Sequence, residues 1–261
     1  MKAFCFTVDD NIRFLRELTL RPELGLFDHP YPAMYRRLHE RYGLKVQLNL
    51  FYEMPGFDLS MVTDRCRGEF EDSADWLKLS FHSRLENVRP YESSAYEEVF
   101  ADCTAVHRQI LRFAGPASLA ETTTVHYCRT TPDGLRAMKD CGMKGLLGLF
   151  GTPQEPRTSY SAPPAQAEQA RRGEVTEFGG VKLAGIDLVI NIAPHDALEP
   201  ALAALVHRDQ IRVMIHEQYF YPDYADYQEN FEQKLDTCFK FLTEHGYGSR
   251  FFQQMLAEQT V

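Results

Sequence analysis

Strand-like and helix-like segments alternate along almost the whole 261-residue chain, and this alternation limits the folds it can adopt. Strands are predicted at "AFCFTV", "KVQLNLF", "LKLSFHS", "TTTVHYC", "KGLLGLF", "IDLVINIA" and "IRVMIHE". Helices are predicted between them at "YPAMYRRLHERYG", "LSMVTDRCRGEF", "SSAYEEVFADCTAVHRQILRFAG", "TPDGLRAMKDCG", "ALEPALAALVHR" and "YQENFEQKLDTCFKFLTEHG". In the longest, Tyr96, Val99, Cys103, Val106, Ile110 and Phe113 recur at helical spacing. Thr131, Pro132 and Gly142 punctuate another as a cap, a first-turn proline and a stop. Such alternation predicts an α/β fold with a mainly parallel sheet, and seven or so βα units predict a distorted (β/α)7-type barrel. The chain is read as a single domain over residues 1–261. Residues 151–173, rich in Pro, Ser and Ala, read as a loop, followed by a hairpin in "VTEFGGVKLAG", so that an insertion lies around 151–185.

Side-chain parity then assigns faces, because successive residues of a strand point to opposite sides. Leu77, Leu79 and Phe81 oppose Lys78, Ser80 and His82; Ile211, Val213 and Ile215 oppose Arg212, Met214 and His216. Gln47 and Asn49 oppose Val46, Leu48 and Leu50, and Asn191 opposes Ile190 and Ile192. His126 shares a side with Thr122 and Thr124. The apolar sets suit the helix layer, so the polar sets face the barrel centre. His82, His126 and His216 stand at or near the C-terminal ends of their strands, the end where barrel enzymes place their chemistry. The first strand ends in Asp9 and Asp10. Parity turns Asp9 inward, whereas Asp10 shares the side of Phe4, Phe6 and Val8. It joins the same site only if the chain turns just after Val8.

One carboxylate and two imidazoles make a facial site for a borderline divalent cation. Asp10, His82 and His126 can supply it, with Asp9 left as a base and His216 as an acid. Zinc is the expected metal, with cobalt, nickel, iron or manganese also suited to this donor set. The bland alternative for the aspartates is to cap the first helix or pair with arginine. His39, His107, His207 and His245 fall on helices or helix ends and read as structural.

"FTVDDN" resembles the first motif of the NodB-type polysaccharide deacetylases, in which an Asp-Asp pair ends the first strand. "LSFHSRLE" resembles the second motif, the segment from Thr123 to Gly148 resembles the third-motif region in layout, and "IRVMIHE" resembles the last. The resemblance implies Asp9 as general base, Asp10 and His82 as metal ligands and His216 as catalytic acid, in a hydrolase that removes an acyl group from an amide such as an N-acetylated sugar. The chain departs from that pattern in two places: Glu86 stands where the second motif has another histidine, and the Arg-Pro-Pro-Tyr of the third is absent. The order Asp, His, distant His is similar to that of the YdjC-like carbohydrate deacetylases, which implies His126 as third ligand and leaves Glu86 as an outer partner or substitute ligand.

Candidate substrate contacts are His195 and Asp196 in "NIAPHD", and Glu217, Tyr219 and Tyr221 in the aromatic run after His216. Aromatic faces suit sugar rings. Glu217 alternatively orients His216, and the run alternatively packs the last strand. Two other readings stand beside the hydrolase: a barrel without catalysis that binds carbohydrate or a small molecule, and a metal-free hydrolase using paired carboxylates such as Asp9 and Glu217.

Charge and hydropathy narrow the partners. A formal charge of −9 disfavours nucleic acid. No run reaches the roughly 18 apolar residues of a membrane span, and the N-terminus turns acidic too soon for a secretory signal, so a cytoplasmic location is expected. The six cysteines form no C-x-x-C pair and read as reduced thiols.

Overall fold

A computed structural model describes residues 2–86, 91–152 and 154–258. In chain order the elements are β1 (Ala3–Asn11), α1 (Arg13–Leu20), α2 (Pro30–Tyr42), β2 (Val46–Met54), β3 (Phe57–Asp58), α3 (Arg67–Asp72), β4 (Leu77–Leu85), α4 (Tyr96–Phe113), β5 (Thr122–Thr123) and α5 (Pro132–Asp140). There follow β6 (Gly145–Gly148), α6 (Pro164–Arg171), β7 (Thr176–Phe178), β8 (Val181–Gly185), β9 (Leu188–Val189), α7 (Leu198–Ala203), β10 (Gln210–His216), α8 (Phe231–Glu244), β11 (Gly248–Ser249) and α9 (Phe252–Glu258).

The fold is the predicted α/β class, a distorted barrel with mainly parallel strands. One ladder runs β4-β2-β1-β10-β9, all parallel, and a second runs β5-β6-β8-β7, antiparallel only at its final hairpin. The short β3 folds back antiparallel on β2. The ladder does not run unbroken round the ring. Between β4 and β5 the backbone contributes a single bridge, Leu79 to Leu119, with Ala120 N–H donating to Leu79 O at 2.9 Å. Side chains sew the rest of that seam: Ser80 Oγ and Gln47 Nε2 donate to Thr122 O at 2.7 and 2.9 Å, and Thr123 Oγ1 donates to Phe81 O.

The faces follow parity. Phe4, Phe6 and Val8 are buried outward against the helices, Phe4 stacking on Phe239 of α8 at 5.7 Å and Phe6 meeting Tyr35 of α2 at 6.1 Å. Inward, Gln47, Asn49, Ser80 and Thr122 are buried together, with Gln47 Nε2 donating to Asn49 Oδ1 at 2.8 Å and Thr122 Oγ1 to Gln47 Oε1 at 3.0 Å. Buried amides and hydroxyls that satisfy one another avoid the desolvation cost each would otherwise carry.

Several elements are shorter than the sequence suggests. The strand predicted at "TTTVHYC" keeps ladder pairing only at Thr122–Thr123. That at "IDLVINIA" pairs only at Leu188–Val189, because Ile192 N–H turns back to Val189 O. The helix predicted from Leu59 is a turn at Leu59–Met61 followed by α3. Within the segment read as a loop, Pro164 starts α6, a first-turn proline suited to a helix N-terminus. The hairpin at 176–185 is no mere excursion, since β8 pairs in parallel with β6 and joins the second ladder. Among the described residues no helix is long and apolar enough to cross a membrane.

Candidate metal centre

Two β-bulges build the site. Along β1, Val8 pairs with Leu48 but Asn11 with Leu50, so β1 carries one residue too many. The backbone accommodates it with Asp10 in the left-handed region, at φ 64°. This is the turn after Val8 that the sequence required, and it swings Asp10 to the inward side beside Asp9. A non-glycine residue at positive φ costs free energy and marks a functional constraint more often than chance. Along β4, Phe81 pairs with Leu50 but Ser83 with Phe51, so His82 is the extra residue there. Asn11 locks the first bulge: its Nδ2 donates to Val8 O at 2.6 Å and Asn49 O at 3.2 Å, while its Oδ1 accepts from Tyr31 at 2.8 Å.

His126 arrives by another route. It does not extend β5 but sits in a one-turn 3-10 segment in which Tyr127 and Cys128 both adopt positive φ, 57° and 53°. Two successive left-handed residues fold the chain sharply and hold the imidazole over the barrel mouth. The inward position expected from strand alternation is reached by a turn.

Asp10 Oδ1 lies 2.9 Å from His82 Nε2 and 3.2 Å from His126 Nδ1, and those nitrogens are 3.1 Å apart. Donors bound at about 2.0–2.2 Å to one ion stand roughly 3–3.5 Å from each other. The chemistry agrees with the spacing. His82 Nδ1 reaches Thr124 O at 2.5 Å, and a carbonyl can only accept, so Nδ1 carries the proton. Neutral His82 therefore turns a lone pair on Nε2 toward the carboxylate, acceptor facing acceptor, unless a cation or a second proton lies between. Burial opposes that second proton and pushes the His82 pKa down, although Asp10 pulls it up. Burial would also raise Asp10, but His126 and His82 outweigh it and hold its carboxyl well below the usual range. Asp10, His82 and His126 thus fit a divalent cation, with His126 Nε2 buried and without a hydrogen-bond partner among the described residues. Phe51 packs edge-on against both rings, at 5.1 and 4.8 Å.

Asp9 sits beside this triad with a different environment. Its Oδ1 accepts from Asn49 Nδ2 at 2.7 Å, and burial together with the Asp10 charge drives its pKa well above the ordinary value. The two adjacent aspartates are therefore split, one held ionised and one favouring a proton. His216 is the register partner of Asp9 on the neighbouring strand. Its Nδ1 donates to Asn191 Oδ1 at 2.9 Å, which leaves Nε2 for other work. Burial lowers the His216 pKa.

A cavity of about 260 Å³ opens over these groups, lined among others by Asp9, Asp10, His82, His126, His216 and Glu86. Glu86 is half-buried on its rim, its pKa raised by burial and by the Asp10 charge, and it lies outside the converging triad. Tyr219 reaches the cavity beside His216, with Tyr224 next to it.

The other candidates lie elsewhere. Glu217 is fully buried and points away from the cavity: its carboxylate accepts from the backbone N–H groups of Ile12, Arg13 and Phe14 at 2.7, 2.9 and 2.9 Å, at the start of α1. That removes it from a carboxylate pair with Asp9. Tyr221 is buried against Glu217, its hydroxyl 3.3 Å away, and Arg13 stacks on its ring at 4.2 Å. His195 bonds Thr237 at 3.0 Å in a separate surface depression, and Asp196 lies in the same turn, outside the cavity lined by Asp10, His82 and His126. Sequence reasoning missed Gln218, whose Nε2 donates to Asp10 Oδ2 at 2.6 Å and fixes the carboxylate so that Oδ1 faces the imidazoles. The signal available was its place two residues after His216.

No protein-family model matches the sequence, and no curated protein matches it. Solved structures do match in fold. A family 4 acetyl xylan esterase from Clostridium thermocellum, in complex with a cobalt ion, superposes with a TM-score of 0.58 at 13% identity, over 100% of this chain and 93% of that one. A 4-alpha-glucanotransferase from Thermococcus litoralis gives 0.60 at 13% identity, over 98% of this chain but 40% of that one. The Xyl-CE4 domain of a multidomain xylanase from the hindgut metagenome of Trinervitermes trinervoides gives 0.50 at 11% identity, over 100% and 92%. The chain therefore has the barrel fold that carbohydrate esterases of family 4 share with a glucanotransferase, so fold alone leaves the reaction to be argued from the site.

Proposed function

We propose that this chain is a metal-dependent hydrolase that removes an acetyl or similar acyl group from an amide, such as that of an N-acetylated sugar. The observation that carries the reading is the convergence of Asp10 Oδ1, His82 Nε2 and His126 Nδ1 within 3.2 Å of one another, on the same cavity as Asp9 and His216. Asp10, His82 and His126 would hold the cation, zinc being the metal best suited to one carboxylate and two imidazoles. A divalent cation held there supplies Lewis acidity toward a carbonyl oxygen and toward water.

The chain's own residues divide the proton work. Asp9, its pKa raised by burial and by the Asp10 charge, takes the proton of the attacking water. Asn49 keeps one oxygen of Asp9 in place while this happens. His216, its tautomer fixed by Asn191, delivers a proton from Nε2 to the departing nitrogen. Tyr219 and Tyr224 offer ring faces to a sugar at the cavity mouth.

The test is release of acetate from N-acetylglucosamine and its short oligomers, with metal content measured on the same preparation. The expected result is turnover that chelation abolishes and zinc or cobalt restores. Full turnover by metal-stripped protein overturns the reading. Bound metal and bound carbohydrate without acetate release would make the barrel a binding module.

A further inference from the structure

Away from the cavity, two thiols and an imidazole meet where α4 packs on the end of α5. Cys141 caps the C-terminus of α5 and is partly exposed, whereas Cys103, on α4, is fully buried. The Cys141 sulfur lies 3.5 Å from Thr104 Oγ1 and 3.7 Å from Phe100 O, so it rests on the turn of α4 that carries Cys103. Cys103 lies on α4 between Phe100 and Thr104, the two residues that the Cys141 sulfur touches. His107, one turn further along α4, stands beside the buried thiol, with its Nε2 3.6 Å from Cys103 Sγ.

We propose that Cys141 and Cys103 form a peroxide-oxidisable dithiol, with Cys141 as the attacking sulfur and Cys103 as the resolving one. The Cys141 thiolate attacks one oxygen of hydrogen peroxide. The O–O bond breaks, hydroxide leaves and is protonated to water, and Cys141 becomes a sulfenic acid. The Cys103 sulfur then displaces the hydroxyl group from Cys141. An S–S bond forms, the S–O bond breaks, and a second water leaves with the proton of Cys103, which His107 Nε2 is placed to accept. Overall two thiols are oxidised and one peroxide is reduced to two waters.

The contrast with the other cysteines supports this assignment. Burial pushes Cys5 and Cys128 up to about 12, and raises Cys66, Cys103 and Cys238 as well. Cys141 alone is lowered, to about 7, chiefly by the hydrogen bond from Cys103. Thiolate character and access decide which sulfur a peroxide oxidises first. The product bond would tie α4, which follows the strand bearing His82, to α5, which follows the turn bearing His126.

Titration of the full reduced chain with hydrogen peroxide tests the proposal. The expected product is a protein lighter by the two hydrogens lost, yielding a Cys103–Cys141 linked peptide that dithiothreitol reverses. Cys103→Ser should stop at a sulfenic acid on Cys141, trapped by dimedone. Cys141→Ser should slow peroxide consumption at least about tenfold. Oxidation that begins at another cysteine, or that carries Cys141 to sulfinic acid without linkage, overturns it. The wild-type peptide map decides the matter even if a variant fails to fold.

Discussion

The two ends of the barrel both bury charge, and they settle it in opposite ways. Strand β10 spans both, since Arg212 and His216 share its inward side. At the N-terminal end Arg212 is almost wholly buried, yet its guanidinium donates to Gly173 O at 3.1 Å and Gln210 Oε1 at 3.0 Å and lies 3.9 Å from Asp187. Asp187 also accepts from the Arg212 backbone and from Arg208. Phe252 and Met255 of α9 pack with Ala3, Cys5, Leu147 and Ala184 to close that end. At the C-terminal end Asp10 Oδ1, His82 Nε2 and His126 Nδ1 converge within 3.2 Å of one another, and the protonated Nδ1 of His82 is turned away from them. A buried charge answered within the chain is a structural seal. The His82 lone pair that faces the Asp10 carboxylate suits a cation, and the strained backbone at Asp10 lies at that end of β1.

The sharpest way to break this contrast is to remove a ligand. Asp10→Asn or His82→Ala should abolish metal retention and lower turnover by more than the ten- to hundred-fold typical of losing an outer partner. Metal analysis and acetate release check this, and the folded barrel should survive. The mirror experiment is at the other end. Arg212→Ala should cost about 2–5 kcal/mol in urea unfolding, because it empties the volume of a wholly buried side chain, although Arg208 keeps Asp187 paired; the metal content of the folded fraction should not change. Glu217→Gln should cost about 1–3 kcal/mol, since one amide oxygen cannot serve three backbone N–H groups as a carboxylate does. Gln218→Ala should leave unfolding unchanged and weaken metal affinity about ten- to hundred-fold, by freeing Asp10 Oδ2. The smallest expected effect is a shift in pH. Asn191→Asp places a negative charge on His216 Nδ1 and favours the imidazolium. The general acid works only while protonated, so activity falls as pH passes its pKa; raising that pKa should move the alkaline limb of kcat/KM upward by about one unit or more.

Strand parity carried much of the site into the sequence. His82 and His216 face inward because residues 77–81 and 211–215 alternate cleanly, and Asn49 and Gln47 follow the same rule. Asp10 was legible only as a condition, since no glycine announces the left-handed residue at the bulge. Strand reasoning placed His126 on the inward side, but the turn that delivers it, with Tyr127 and Cys128 at positive φ, leaves no periodic trace. Glu217 shows the limit most clearly. Its position beside His216 suggested the site, yet its partners are backbone amides some 200 residues away, and backbone groups carry no signature in a sequence. The eight residues of α6 were hidden by a Pro- and Ala-rich composition that suits a loop as well as a short helix.

The seam between β4 and β5 gives the candidate site a mechanical meaning. His82 stands on one side of that seam and His126 on the other, and a single backbone bridge joins the two ladders there. An ion gripped by both would act as a rivet across this join. Amide exchange should therefore start along this line in metal-free protein, at Leu79, Leu119 and Ala120, and slow there most when the cation is restored.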